Sequence, residues 1–146
     1  MYEINKNTIA ICTNHSETIV YEVDNLIKSV NNSDEIIEYN CLYYGSSYKG
    51  RVEGSKNLIG ISYKLPIILE ETNEIIYFPI KNKNSILWIN YKMVKNYYKN
   101  EKNTIILFVN NEKIIVNNSY ESVNNQILKS SRLESLIRYR KSVNFL

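Results

Sequence analysis

Residues 41–51 have the sequence Cys41-Leu42-Tyr43-Tyr44-Gly45-Ser46-Ser47-Tyr48-Lys49-Gly50-Arg51. The four glycines of the 146-residue chain all lie in or just after this stretch, at positions 45, 50, 54 and 60. Glycine adopts positive φ without strain and lets the backbone approach a neighbour closely, so their clustering indicates a local conformational demand. We therefore predict unusual backbone freedom in this segment.

The residues before this stretch favour a helix. Asn32 followed by Glu35 has the spacing of a reciprocal helix cap, and Ile36, Ile37, Cys41 and Tyr44 then recur near helical spacing. We expect a central helix over about 33–44.

Most of the remaining chain predicts β-structure. Alternating apolar residues indicate two early strands, one around 4–11 and one over 18–23. Runs 65–69 and 75–78 flank a polar turn and predict a hairpin, with Pro66 and Pro79 suited to strand ends or edges. After a polar, basic loop over 80–85, three more strands are expected as a meander, at 86–94, 104–109 and 113–116.

A C-terminal helix is expected over about 120–140. Asn118 or Ser119 can cap it, and one side of the helix carries Tyr120, Val123, Ile127, Ser130 and Ile137. The predicted fold is α+β, with mostly antiparallel sheet (hairpin plus meander), a central helix and a C-terminal helix, in one domain spanning 1–146.

Charge is divided unevenly along the chain. Residues 1–40 carry seven acids against two lysines, whereas residues 41–146 carry sixteen bases against eight acids. The later part is the candidate surface for a polyanion. Basic and aromatic residues are interleaved around 48–56, over 81–102 and on the last helix, where Lys129, Arg132 and Arg140 form a stripe. A solvated helix face is the alternative interpretation of that stripe.

Several function classes have no support in the sequence. The chain has no long apolar run and no basic-then-apolar start, so we expect a cytoplasmic protein with no membrane partner. Cys12 and Cys41 lack CxxC spacing and are expected to be reduced thiols, and no metal or other cofactor is expected. The single histidine, His15, lies in an acidic, polar segment without a nucleophile motif. We expect no enzyme and no small-molecule substrate.

The glycine-rich segment has two further interpretations. It matches neither GxxxxGK[ST] nor GxGxxG, so a nucleotide pocket is a weak alternative. Its backbone N–H groups, with the serine hydroxyls and basic side chains beside them, equally suit contacts to DNA phosphates.

The stretch 41–51 resembles the signature of the competence transcription factor (ComK) family, which has a cysteine, two aromatic residues and then GSSYxGR. Later landmarks agree with that family in order and spacing, namely Ile61-Ser62-Tyr63-Lys64-Leu65-Pro66-Ile67, Phe78-Pro79, Trp88-Ile89, Ser119-Tyr120, Ser122, Asn125-Gln126 and Leu133. The similarity extends over most of the chain.

This resemblance implies a DNA-binding transcriptional activator of DNA-uptake genes. It implies recognition of AT-rich double-stranded DNA through minor-groove and phosphate contacts, by a homodimer or a dimer of dimers. Narrow AT-rich grooves attract Arg and Lys. The candidate DNA-binding residues are Ser46, Ser47, Tyr48, Lys49, Arg51, Lys56 and Arg132.

Two points are left open by the sequence. Arg51 could hold the turn together instead of contacting DNA; if it contacts DNA, Arg51→Ala should weaken binding without lowering thermal stability. The alternative function is a divergent protein-interaction module that does not bind DNA and modulates another regulator through a sheet edge or the acidic N-terminal segment.

Overall fold

The computed structural model describes residues 1–144 and has an α+β fold, which confirms the predicted class. The strands are β1 (Thr8–Asn14), β2 (Glu17–Glu22), β3 (Asn25–Ser29), β4 (Ile67–Glu70), β5 (Ile75–Lys81), β6 (Ser85–Asn90), β7 (Val94–Asn100), β8 (Asn103–Phe108) and β9 (Lys113–Val116). The helices are α1 (Ser33–Tyr43), α2 (Tyr48–Ile59) and α3 (Tyr120–Asn144).

Two antiparallel sheets form the centre of the molecule. The larger has the order β3-β2-β1-β6-β5-β4 and the smaller has the order β7-β8-β9. Because strand side chains alternate, Tyr77 and Phe78 of β5 enter different apolar clusters. The Tyr77 cluster includes α1, whereas the Phe78 cluster includes β8 and the start of α3. The large sheet therefore lies between two covering layers.

The predicted strand 86–94 is wrong as a single element. It is divided by a short 3-10 helix, Tyr91–Met93, which begins where the Asn90 side chain accepts a hydrogen bond from the Lys92 N–H. β6 belongs to the large sheet and β7 to the small one, so the chain changes sheets at this break. Strands β3 and β7 were not predicted as separate elements. The observed meander consists of β7, β8 and β9.

The expected hairpin is confirmed as β4 and β5. Pro79 pairs with Trp88 of β6 at a point where β5 extends beyond the last residue paired to β4, a position free of a strand on one side. The thiols are both free, with Cys41 buried and Cys12 half-buried.

The cap of α1 is confirmed. Asn32 Oδ1 accepts from the Glu35 N–H at 2.8 Å, and Glu35 Oε1 accepts from the Asn32 N–H at 3.1 Å. The predicted C-terminal helix is present and extends four residues beyond the expected end, with the Ser119 hydroxyl accepting from the Ser122 N–H. No helix within residues 1–144 is long and apolar enough to cross a membrane.

Among the helices of residues 1–144, α2 is the one that was not predicted. Gly45 and Gly60 have positive φ, 87° and 71°, and they flank this helix, whereas Gly50 and Gly54 lie inside it. Interior glycines lower helix propensity, which explains the missed prediction. Burial of Ile59 in an apolar cluster with residues of β4, β5 and α3 stabilises the helix nevertheless.

Candidate nucleic-acid interface

A tight turn connects α1 to α2. The Gly45 N–H donates to the Leu42 carbonyl at 3.0 Å, and the Ser46 N–H donates to the Cys41 carbonyl at 2.9 Å. This is the Schellman pattern that ends a helix, and it requires the left-handed conformation of Gly45. The turn therefore sets the position from which α2 begins.

The start of α2 is held by side-chain contacts. The Ser47 hydroxyl accepts from the Gly50 N–H at 3.0 Å, and Glu38 Oε2 of α1 accepts from the Tyr48 N–H at 2.7 Å. The Tyr48 ring packs edge-on against Trp88, with centroids 5.9 Å apart. Two predicted site residues, Ser47 and Tyr48, thus have structural contacts of their own. Glu38 already occupies part of the N-terminal end of α2, where an anion is otherwise favoured.

Arg51 is half-buried and faces back toward α1. Its Nη2 donates to the Tyr44 carbonyl at 3.3 Å, and its buried Nε has no hydrogen-bond partner within residues 1–144. It also lies near Cys41, where burial is the main factor that raises the thiol pKa to about 11, with the Glu38 carboxylate adding to the rise and Arg51 opposing it. Its side chain is accordingly part of the connection between α1 and α2.

Lys49 and Lys56 are the exposed bases of α2. They are seven residues apart, which places them on the same face of the helix. Glu53 is exposed between them on that face and reduces its positive charge. Ser46 is half-buried in the preceding turn. The structure thus places Ser46 in the turn before α2, and Lys49 and Lys56 on one exposed face of α2.

Arg132 lies on a different element. It is exposed on α3, next to Leu133, which packs against Ile59 of α2 in a shared apolar cluster. Lys129, the first member of the predicted stripe, donates to the carbonyls of Tyr63 and Lys64 at 2.9 and 3.3 Å. The structure thus brings α3 against α2, while Lys129 is used to hold the loop that follows α2.

The family of the chain follows from its similarity to known proteins. The family described as "ComK protein" matches residues 1–142, a range that includes α1, α2 and nearly all of α3. The chain belongs to the ComK family. It is 28% identical to the competence transcription factor of Bacillus subtilis (strain 168), in a match that covers 95% of this chain and 76% of that protein. No solved structure matches the chain.

Membership of the ComK family, with this relative, supports a transcription regulator of competence. A transcription factor family is not a class of enzymes. In this ComK family member His15 is exposed in the turn between β1 and β2, and Glu70 and Glu71 lie at the β4–β5 turn. Within the described residues, no cluster of His, Cys, Asp or Glu side chains could hold a metal ion.

The electrostatics of this ComK family member were not predictable from the motif. Residues 33–59, which contain both helices and the turn, carry three bases and four acids, a net charge of −1. The acids are Asp34, Glu35, Glu38 and Glu53. The sequence signature is therefore not, by itself, a strongly positive surface, and a large basic surface must involve other elements.

Proposed function

We propose that this ComK family member regulates transcription by binding AT-rich double-stranded DNA through minor-groove and phosphate contacts around the turn and along the exposed face of α2. The observation that supports this most directly is the pair Lys49 and Lys56, exposed on one face of a helix whose start is fixed by the glycine turn. Family membership supplies the link to transcription.

In this proposal the seven candidate residues have different roles. Lys49 and Lys56 contact phosphates, and Ser46 adds a hydroxyl that helps to set the register. Ser47, Tyr48 and Arg51 keep the turn in position, and Arg51 presents its remaining donors to the DNA.

The DNA itself favours these contacts, because a narrow AT-rich groove has enhanced negative potential. Arg132 contributes a further contact to the DNA from α3. The protein binds neighbouring AT-rich sites as a homodimer or a dimer of dimers, and there it activates DNA-uptake genes.

The test is a fluorescence anisotropy titration of the full chain on AT-rich and GC-rich duplexes at several salt concentrations. Six phosphate contacts would give a slope of log affinity against log salt of about −5, from roughly 0.9 per contact. Binding should be tighter to the AT-rich duplex and should be displaced by a compound that occupies the minor groove. A slope near zero on both duplexes contradicts the proposal.

A matched pair of variants assigns the surface. Lys49→Ala with Lys56→Ala should weaken binding and make the slope less steep by about 2, because two phosphate contacts are lost. Lys6→Ala with Lys28→Ala removes the same charge from two other exposed positions and should leave the slope unchanged. Equal effects of the two double variants would assign binding to net charge instead of to α2.

A further inference from the structure

The most basic part of the chain lies outside the signature. Residues 81–116 carry seven lysines against two glutamates, a net charge of +5. The lysines are all exposed, at positions 81, 83, 92, 95, 99, 102 and 113. Like charges this dense repel one another, which favours binding of a polyanion that neutralises them.

A series of contacts connects part of this group to the start of α2. Lys49 and Lys81 line the same surface cleft. The Lys81 carbonyl accepts from Asn118 Nδ2 at 3.0 Å, and the Asn118 carbonyl accepts from Thr104 Oγ1 at 2.9 Å. Thr104 is the direct strand partner of Lys99 in the β7–β8 pair. Lys49 and Lys99, fifty residues apart in sequence, therefore lie on segments that Lys81 and Asn118 connect at one end of the molecule.

The turns at this end present two further lysines. Lys83 lies in the β5–β6 turn, which Asn82 fixes by accepting from the N–H groups of Asn84 and Ser85, both at 3.1 Å. Lys102 lies in the β7–β8 turn beside Glu101, whose φ of 57° is left-handed. Neither lysine forms a side-chain hydrogen bond or an ion pair with another residue among residues 1–144 that the structure describes. Both ammonium groups are thus available to a ligand.

We infer that Lys81, Lys83, Lys99 and Lys102, together with Lys49 of α2, form one basic band that extends the binding of DNA phosphates beyond α2. This inference rests on the proposed function, because it extends the same DNA-binding surface. Lysine is a compact point charge and matches phosphate more closely than base edges. The basic band therefore contributes affinity and salt dependence and leaves the preference for AT-rich sequence to other residues.

Charge is not uniform along the basic band. Asp34 and Glu38 line the cleft that Lys49 and Lys81 share, so the positive potential is weaker there. Glu101 is the acid nearest in sequence to Lys102, and Lys83 has no acidic neighbour within the turn. The β5–β6 turn, which contains Lys83, is therefore where a phosphate backbone would be held most strongly.

The experiment compares two double variants of the full chain on the AT-rich duplex. Lys83→Ala with Lys102→Ala removes two exposed turn lysines of the basic band. Lys6→Ala with Lys28→Ala is the matched control, because Lys6 precedes β1 and Lys28 lies on the edge strand β3, separated from β5 by three strands. Thermal unfolding should be unchanged in both variants.

The basic-band variant should make the salt slope less steep by about 2, from roughly 0.9 per contact, with an unchanged ratio of AT-rich to GC-rich affinity. The control should behave as the unmodified protein. If the unmodified protein binds and the two variants give the same slope, the basic band is overturned while the proposed function stands. If the unmodified protein shows no salt-dependent binding, the proposed function itself fails.

Discussion

The guanidinium group of Arg51 donates to the backbone carbonyl of Tyr44, with Nη2 and the oxygen 3.3 Å apart. This bond connects the second turn of α2 to the residue that ends α1. The sequence alone left Arg51 as either a DNA contact or a support for the turn. Its half-buried position gives it a supporting contact, whatever its role toward DNA.

Replacing Arg51 by alanine should therefore lower stability as well as DNA affinity. The Tyr44 carbonyl loses a charged donor and the apolar stem of Arg51 is removed, so we expect a loss of about 1 kcal/mol in the free energy of unfolding. Urea denaturation followed by circular dichroism measures it. An unchanged midpoint with weakened DNA binding would show that the Tyr44 contact is energetically silent and that Arg51 acts on DNA alone.

Gly54→Ala should stabilise the protein. Gly54 is exposed inside α2, and a Cβ built there meets no atom within 4 Å. Alanine is favoured over glycine in a helix interior by about 0.5–1 kcal/mol, and a rise of that size is expected in urea denaturation.

Gly50→Ala is the contrast, because its Cβ would lie 2.9 Å from Ser46 Oγ and 3.2 Å from Ser47 Oγ. Gly50→Ala should raise the free energy of unfolding by less than Gly54→Ala does, or lower it. Destabilisation by Gly54→Ala would argue against a helix at this position.

Asp34→Ala should destabilise the protein more than Asp34→Asn. Asp34 Oδ1 accepts a hydrogen bond of 2.8 Å from the indole N–H of Trp88, whose ring is buried. Alanine leaves that N–H without its acceptor, at a cost of about 1–3 kcal/mol, whereas the asparagine oxygen can still accept. Chemical denaturation with tryptophan fluorescence reports both variants. Equal stability of the two would mean that the bond contributes little.

The Asp34→Asn variant also tests the cleft that Lys49 lines. The cleft is lined by two lysines, Lys49 and Lys81, and two acids. Removing the Asp34 carboxylate leaves Glu38 as its one acid. Asp34→Asn should therefore tighten binding to the AT-rich duplex at low salt, with the effect fading at high salt as charges are screened. Weaker binding by this variant would contradict a role for the cleft in contacting DNA.

Stability should depend on pH through Glu74. Hydrogen bonds from Lys141 and Arg138 hold the pKa of Glu74 below its usual 4.5. A depressed pKa stabilises the folded state above the unfolded value, and that contribution is lost as pH falls through the folded pKa. Glu74→Gln should thus be less stable than the unmodified protein at pH 7, with the difference disappearing below the folded pKa. A difference that persists in strong acid would assign the effect to packing.

The Cys41 thiol should be unreactive in the folded protein. Burial is the main cause that raises its pKa to about 11, so at pH 8 the nucleophilic thiolate is scarce as well as inaccessible. In a Cys12→Ser variant, a thiol reagent at pH 8 should modify Cys41 slowly in buffer and rapidly in concentrated urea. Fast modification of the native protein would show that the α1 face of the large sheet opens readily.

Much of the fold was predictable because its signals are local. Asn32 and Glu35 are three residues apart and form their cap without help from distant segments. The β4–β5 hairpin likewise follows from two β-rich runs around a polar turn. Helix α2 was not predictable in this way, because Gly50 and Gly54 lower its intrinsic propensity and the burial of Ile59 against other elements compensates.

The sequence by itself determined the α+β class, the cap of α1 and the residues that resemble the ComK signature, since each depends on neighbours within a few positions. Only the tertiary structure decided that Arg51 faces back toward Tyr44 and that Lys49 shares a cleft with Lys81. Those relationships arise from packing between segments far apart in the chain. Periodicity and spacing carry no information about which distant surfaces come together.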